Sequence, residues 1–250
     1  MIEAQAEVLL NYVGGEWTPS QSGAKAPVQN PATAETIALV PLSPAEEVDA
    51  AVQAALRAYP EWRETPVVDR IKPLFRLRDL LLANLDELAR TITNEAGKTF
   101  AESRAEMQRG IENVEVACGA PILLQGYNNE DIAHGIDEHM FRQPLGVVAA
   151  ITPFNFPGMI PLWFMPYAVA AGNCFLLKPS EKVPMTTQLL FRLCEQAGFP
   201  PGVLGLVNGG KETVDAILDH PDVKAVSFVG STPVAKYIYS RAAANGKRAQ

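Results

Sequence analysis

Residues 144–178 read PLGVVAAITPFNFPGMIPLWFMPYAVAAGNCFLLK, and 144–177 carry no charged side chain at all. A charge-free run of this length raises the question of a membrane span, since roughly 20 apolar residues cross a bilayer. Its punctuation argues otherwise: Pro153, Pro157, Pro161 and Pro166, with Asn155, Gly158, Gly172 and Asn173, interrupt the run repeatedly. Two buried strands, 145–151 and 174–177, on either side of a buried helix at 157–171 account for it better. The same alternation continues downstream, with a helix expected at 184–197, a strand at 203–207, a helix at 211–219, a strand at 223–229 and a helix at 232–243. Strands alternating with helices form parallel βαβ units, so the fold class is α/β with a doubly wound parallel sheet.

Upstream, the pattern is mixed. Residues 8–40 are short apolar pieces broken by Gly14-Gly15, Pro27, Asn30 and Pro31, as in strands and turns. Ser43-Pro44-Ala45-Glu46 has the form of a helix start, with Ser43 as cap and Glu46 reaching back in a capping box. The helix after it puts Val48, Ala51, Val52, Ala55 and Leu56 on one face. A second helical region is expected over 66–96, with Leu74, Leu77, Leu81, Leu85 and Leu88 as its apolar stripe, and a third over 99–118. Residues 122–143 mix turn formers with segments able to pair as a hairpin.

The 250-residue chain is 48% hydrophobic and 20% charged, ordinary values for a water-soluble domain. A net charge of −7 and a pI near 5.1 exclude broad nucleic-acid binding, which needs a basic surface. Cys118, Cys174 and Cys194 have no paired spacing and read as reduced thiols of a cytoplasmic protein. His134, His139 and His220 have no zinc-ligand spacing, so no metal is expected. The N-terminal MIEAQAEVLLNYVGGEW carries acids where a leader would carry bases, so no targeting peptide is expected.

In a doubly wound sheet, ligands bind beyond the carboxyl ends of the strands. The first strand ends in Pro153-Phe154-Asn155-Phe156-Pro157, a stiff turn whose Asn155 amide could steady a developing oxyanion, worth about 3–4 kcal/mol, or could simply satisfy turn backbone groups. The second ends in Leu177-Lys178-Pro179-Ser180-Glu181-Lys182. An ammonium and a carboxylate there suit a nucleotide ribose, or a solvated helix start. The third ends in Asn208-Gly209-Gly210. The fourth ends in Val229-Gly230-Ser231-Thr232, where a serine and helix N–H groups suit a pyrophosphate. The usual dinucleotide fingerprint G-x-G-x-x-G is missing.

PFNFP (153–157), LKPSE (177–181) and FVGST (228–232), in this order, resemble the aldehyde dehydrogenase superfamily over essentially the whole chain. The resemblance implies a Rossmann-like NAD-binding domain formed by residues 1–121 and 144–250, with 122–143 as a protruding oligomerisation hairpin. It implies Asn155 as the oxyanion-hole amide, Lys178, Glu181 and Lys182 around the adenosine ribose, and Ser231 at the pyrophosphate. It places Thr152 and Phe154 along the nicotinamide path. Asp215 stands in a segment where much of the family has a further glycine, a departure that bears on adenine and pyrophosphate packing. The runs 154–173 and 227–239, with AANGKR at 243–248, are more similar to the CoA-acylating branch that oxidises methylmalonate and malonate semialdehydes. In that branch an arginine on the helix before the hairpin meets the substrate carboxylate, and Arg109 falls at that place. Its alternative is a surface arginine paired with Glu106 or Glu112. The likeness further implies coenzyme A as co-substrate and assembly as a homodimer or homotetramer. None of the three cysteines has the glycine-rich context of the family's nucleophile, so the catalytic domain is expected to lie outside these 250 residues and the chain to be inactive alone.

Overall fold

The computed structural model describes residues 6–250; residues 1–5, part of the segment read as lacking a leader, lie outside the described residues. The chain opens with two short strands, β1 (Asn11–Val13) and β2 (Glu16–Thr18), then a separate antiparallel hairpin of β3 (Lys25–Gln29) and β4 (Thr36–Pro41). A helical layer follows: α1 (Ala45–Glu64), α2 (Val67–Arg70), α3 (Lys72–Ala83), α4 (Leu85–Ala96), α5 (Phe100–Ala117) and α6 (Ala120–Leu123). After a second hairpin, β5 (Asn128–Ala133) and β6 (Ile136–His139), comes the alternating half. It comprises β7 (Val147–Ile151), α7 (Met159–Ala170), β8 (Cys174–Lys178), α8 (Met185–Ala197) and β9 (Leu204–Leu206), then α9 (Lys211–Asp219), β10 (Val223–Phe228), α10 (Thr232–Ala244) and β11 (Arg248–Ala249).

The main sheet has seven strands in the order β11-β10-β7-β8-β9-β1-β2. The pairs from β11 to β9 are parallel, whereas β1 is antiparallel to both β9 and β2. The chain leaves β7 toward β8 and β9 and then returns to β10 on the other side of β7, which makes the β7–β10 junction the switch point of the sheet. β8, Cys-Phe-Leu-Leu-Lys, is buried along its whole length because helices cover both faces. α7 lies between the sheet and α5, which bury most of it but leave Trp163 exposed. The charge-free run is thus strand, helix and strand, and no helix among the described residues is long and apolar enough to cross a membrane.

Three expectations are corrected. The region 66–96 is three helices, because the chain turns at Ile71 and again at Asn84. The hairpin expected over 122–143 is confined to 128–139; Ile122 and Leu123 belong to α6. The Ser43–Glu46 capping box does not form. Pro44 is the cap and its side chain bonds nothing. Ser43 is buried instead, its hydroxyl accepting from Asn11 Nδ2 at 2.9 Å and its carbonyl accepting from the Thr213 hydroxyl at 2.6 Å. Tertiary bonds across the sheet edge outcompete the local cap. A capping box does form at α5, between Thr99 and Glu102.

α4 and α8 are locked by a buried acid. Glu95 accepts the N–H groups of Met185 (2.7 Å) and Thr186 (2.8 Å) and the Thr186 hydroxyl at the start of α8. Burial pushes its carboxyl up from 4.5 to about 7, against the opposing pull of those hydrogen bonds. An acid raised on folding holds its proton longer in the folded chain. Its contribution is therefore present below its unfolded value and is lost as pH climbs through the folded one. Urea midpoints should accordingly drop between about pH 5 and about pH 8 by more in the wild type than in Glu95→Gln. Equal drops would show that another group controls the profile.

Candidate functional site

A cleft of about 570 Å³ opens at the switch point, beyond the carboxyl ends of β7, β8 and β10. Five of the expected site residues line it: Thr152, Phe154, Lys178, Glu181 and Ser231. Lys182 stands at its edge, with Nζ 5.0 Å from the centre of the Phe154 ring.

Each side chain owes its place to its element. Lys178 is the last residue of β8 and only 4% exposed; its Nζ meets the Glu181 carboxylate at 3.3 Å. Desolvation pulls its ammonium below the usual lysine range, and Glu181 works against that. A buried ammonium beside a half-exposed carboxylate offers donor and acceptor together, which is what vicinal ribose hydroxyls require. Thr152 is buried, and its N–H donates to the Lys178 carbonyl at 3.1 Å, tying the first strand end to the second.

Ser231 caps α10 in extended geometry, but its side chain makes no capping bond, so its hydroxyl and the first-turn N–H groups remain open to an anion. Gly230 before it has no room for a side chain: an added Cβ would sit 2.3 Å from the Phe228 ring. Val214 from α9 and Pro233, Val234 and Tyr237 from α10 supply an apolar slot suited to a flat heterocycle.

That slot was missed from sequence, although its signal was present. Pro233, Val234, Tyr237 and Ile238 fall one helical turn apart on a single face. Asp215, noted as a departure, sits at the end of the slot. It accepts from Lys211 Nζ and the Tyr237 hydroxyl, both at 2.5 Å, and pairs with Arg241 at 3.1 Å. These bonds hold α9 against α10.

Asn155 lies between two clefts. Phe154 lines the one described, and Phe156 lines a second of about 280 Å³ with Lys98, Glu106, Arg109 and Met159. The Asn155 side chain is exposed and bonds no described residue, so the alternative of a turn-satisfying asparagine has no contact behind it. Arg109 is exposed at the second cleft and pairs with neither Glu106 nor Glu112. Glu106 is turned inward to Lys98 at 2.6 Å. The structure therefore brings Thr152, Phe154, Lys178, Glu181 and Ser231 together in one cleft and sets Asn155 and Arg109 beside it.

The three thiols are buried. Desolvation raises Cys174 to about 12, and lifts Cys118 and Cys194 as well, so none is a ready thiolate.

The aldehyde dehydrogenase family pattern covers residues 17–250, and the chain belongs to that family. Within it, the chain is 54% identical to malonate-semialdehyde dehydrogenase 3 of Geobacillus kaustophilus (strain HTA426) over 98% of its own length and 51% of that protein. It superposes on the methylmalonate-semialdehyde dehydrogenase of Oceanimonas doudoroffii with a TM-score of 0.94 at 48% identity, covering 97% of this chain and 50% of that one. A protein from Sinorhizobium meliloti 1021 assigned to the same enzyme type, complexed with NAD, gives a TM-score of 0.95 at 43% identity over 99% of this chain and 50% of its own. The chain spans about half the length of the curated relatives it matches.

Proposed function

We propose that this chain is the nucleotide-binding half of an NAD-dependent, CoA-acylating dehydrogenase of methylmalonate and malonate semialdehydes. The convergence of Thr152, Lys178, Glu181 and Ser231 on one cleft carries the reading, and the names of its relatives support it. Residues 1–121 and 144–250 would form the nucleotide unit. The exposed hairpin within 122–143, with Ile132 and Ile136 outward, would be covered by a second subunit in a homodimer or homotetramer. The buried reduced thiols fit a cytoplasmic setting.

The groups present fit NAD. Lys178 and Glu181 would hold the adenosine ribose with Lys182 alongside. The open Ser231 terminus would receive the pyrophosphate, and Thr152 and Phe154 would flank the nicotinamide. NAD, when bound, supplies a hydride acceptor.

The nucleophile would be a cysteine thiolate from outside these three buried thiols. Its attack on the aldehyde carbon puts negative charge on the carbonyl oxygen, toward which the Asn155 amide donates. Arg109 would grip the substrate carboxylate until it leaves the acyl group as carbon dioxide, and coenzyme A would then accept propionyl or acetyl.

Calorimetric titration of NAD tests the cleft directly. Glu181→Gln keeps an acceptor but loses the charge, so affinity should fall by about 0.5–1.5 kcal/mol, roughly two- to tenfold. An unchanged affinity would remove Glu181 from the ribose site.

A further inference from the structure

We propose that Glu106 is a positioning residue for the reaction: held by Lys98, it fixes the turn that carries Asn155 and so sets the oxyanion donor in place. The inference rests on the role proposed above for Asn155.

Glu106 projects from α5 with a side chain only 1% exposed. Its Oε1 accepts the N–H groups of Gly158 (2.9 Å) and Met159 (3.2 Å), and its Oε2 accepts from Lys98 Nζ at 2.6 Å. A buried ion pair seldom adds net stability, because desolvation offsets the attraction. Its geometric effect is more specific. Gly158 is joined to Asn155 through Phe156 and Pro157, and the proline ring fixes one of the few free torsions between them. Phe156 is held as well, since Lys98 Nζ lies 3.8 Å from the centre of its ring. The other end of the turn is tied by the Thr152–Lys178 backbone bond and stiffened by Pro153.

Approach to α5 is close. A Cβ on Gly158 would come within 2.2 Å of the Met107 sulfur, so any larger residue must displace Met107 for this backbone to reach the carboxylate. Glu106 and Arg109 are also three residues apart on α5, and both line the second cleft. One helix thereby presents the group for the substrate's carboxylate and anchors the turn bearing the group for its carbonyl oxygen. The spacing between the two ends of a short semialdehyde is then set by a single rigid element.

The test uses the complete enzyme. Glu106→Ala should lower kcat by about 5- to 20-fold, within the range a misplaced reacting group produces. The loss should be alike for methylmalonate semialdehyde and for propanal, with the NAD dissociation constant within about twofold of wild type in calorimetry. Glu106→Gln, whose amide oxygen can still receive the two N–H groups, should recover much of the rate. Amide exchange at Gly158 and Met159 should quicken in Glu106→Ala while the rest of α7 keeps its protection. Adding Glu106→Ala to Asn155→Ala should cost less than about twofold, because a displaced turn no longer matters once its donor is gone. A full additive loss in the double variant overturns the proposal, as does a loss that appears in NAD affinity or no loss at all. Asn155→Ala measured alone judges the oxyanion reading separately. If Glu106→Ala does not fold, Lys98→Met takes its place in the same cycle, and additivity there overturns the proposal.

Discussion

Asn155→Ala in the complete enzyme is expected to slow acyl-enzyme formation by about 10²–10³-fold, the usual loss for one oxyanion donor. The amide bonds no described residue, yet its backbone is held between Pro153 and Pro157 and anchored at Thr152 and Gly158. A donor held in this way loses little order when it engages the oxyanion, so nearly all of its interaction appears in the transition state. NAD affinity should change little, since the cleft proposed for the nucleotide is lined by Phe154 and not by Asn155. Single-turnover NADH formation is the measurement. A loss below about threefold would take Asn155 out of the oxyanion hole.

Arg109→Leu should discriminate between substrates. The guanidinium is exposed at the second cleft with no acidic partner among the described residues, so its donors are available to a carboxylate. Losing a charge-assisted contact costs about 1.5–3 kcal/mol, so kcat/KM for methylmalonate semialdehyde should fall by about 10- to 150-fold. Propanal has no carboxylate and should be nearly indifferent. Equal losses on both substrates would make Arg109 part of the scaffold.

How far these sites could be read in advance followed from how local their causes are. The strand–helix alternation after Pro144 is written in hydrophobic period and turn residues, and β7 through α10 lie within two or three residues of their expected bounds. Lys178 and Glu181 were legible because both sit at one strand end. Ser43 was misread because its partners, Asn11 and Thr213, are brought to it only by the completed sheet. Glu95 and Glu106 gave no signal for the same reason. Each looks like a helix-surface acid, and its N–H donors lie at positions 185–186 and 158–159, at the starts of other helices. Tyr237 went unread because its partners, Lys211 and Asp215, stand on α9, which only the folded chain sets opposite it.

The antiparallel strand β1 pairs with β9, and Asn11 joins them: its Oδ1 accepts the Asn208 N–H at 2.8 Å, 197 positions along the chain. β1 therefore waits for the turn at Asn208 to be made before this contact can form. At about 5–20 residues per second that wait is about 10–40 s, and Tyr12 likewise waits for Phe191, whose ring it packs against at 5.9 Å. Pairing this remote also slows refolding, because the loop it closes is among the longest the chain can form. The β1 segment is thus a place where a holding chaperone has a long opportunity to bind.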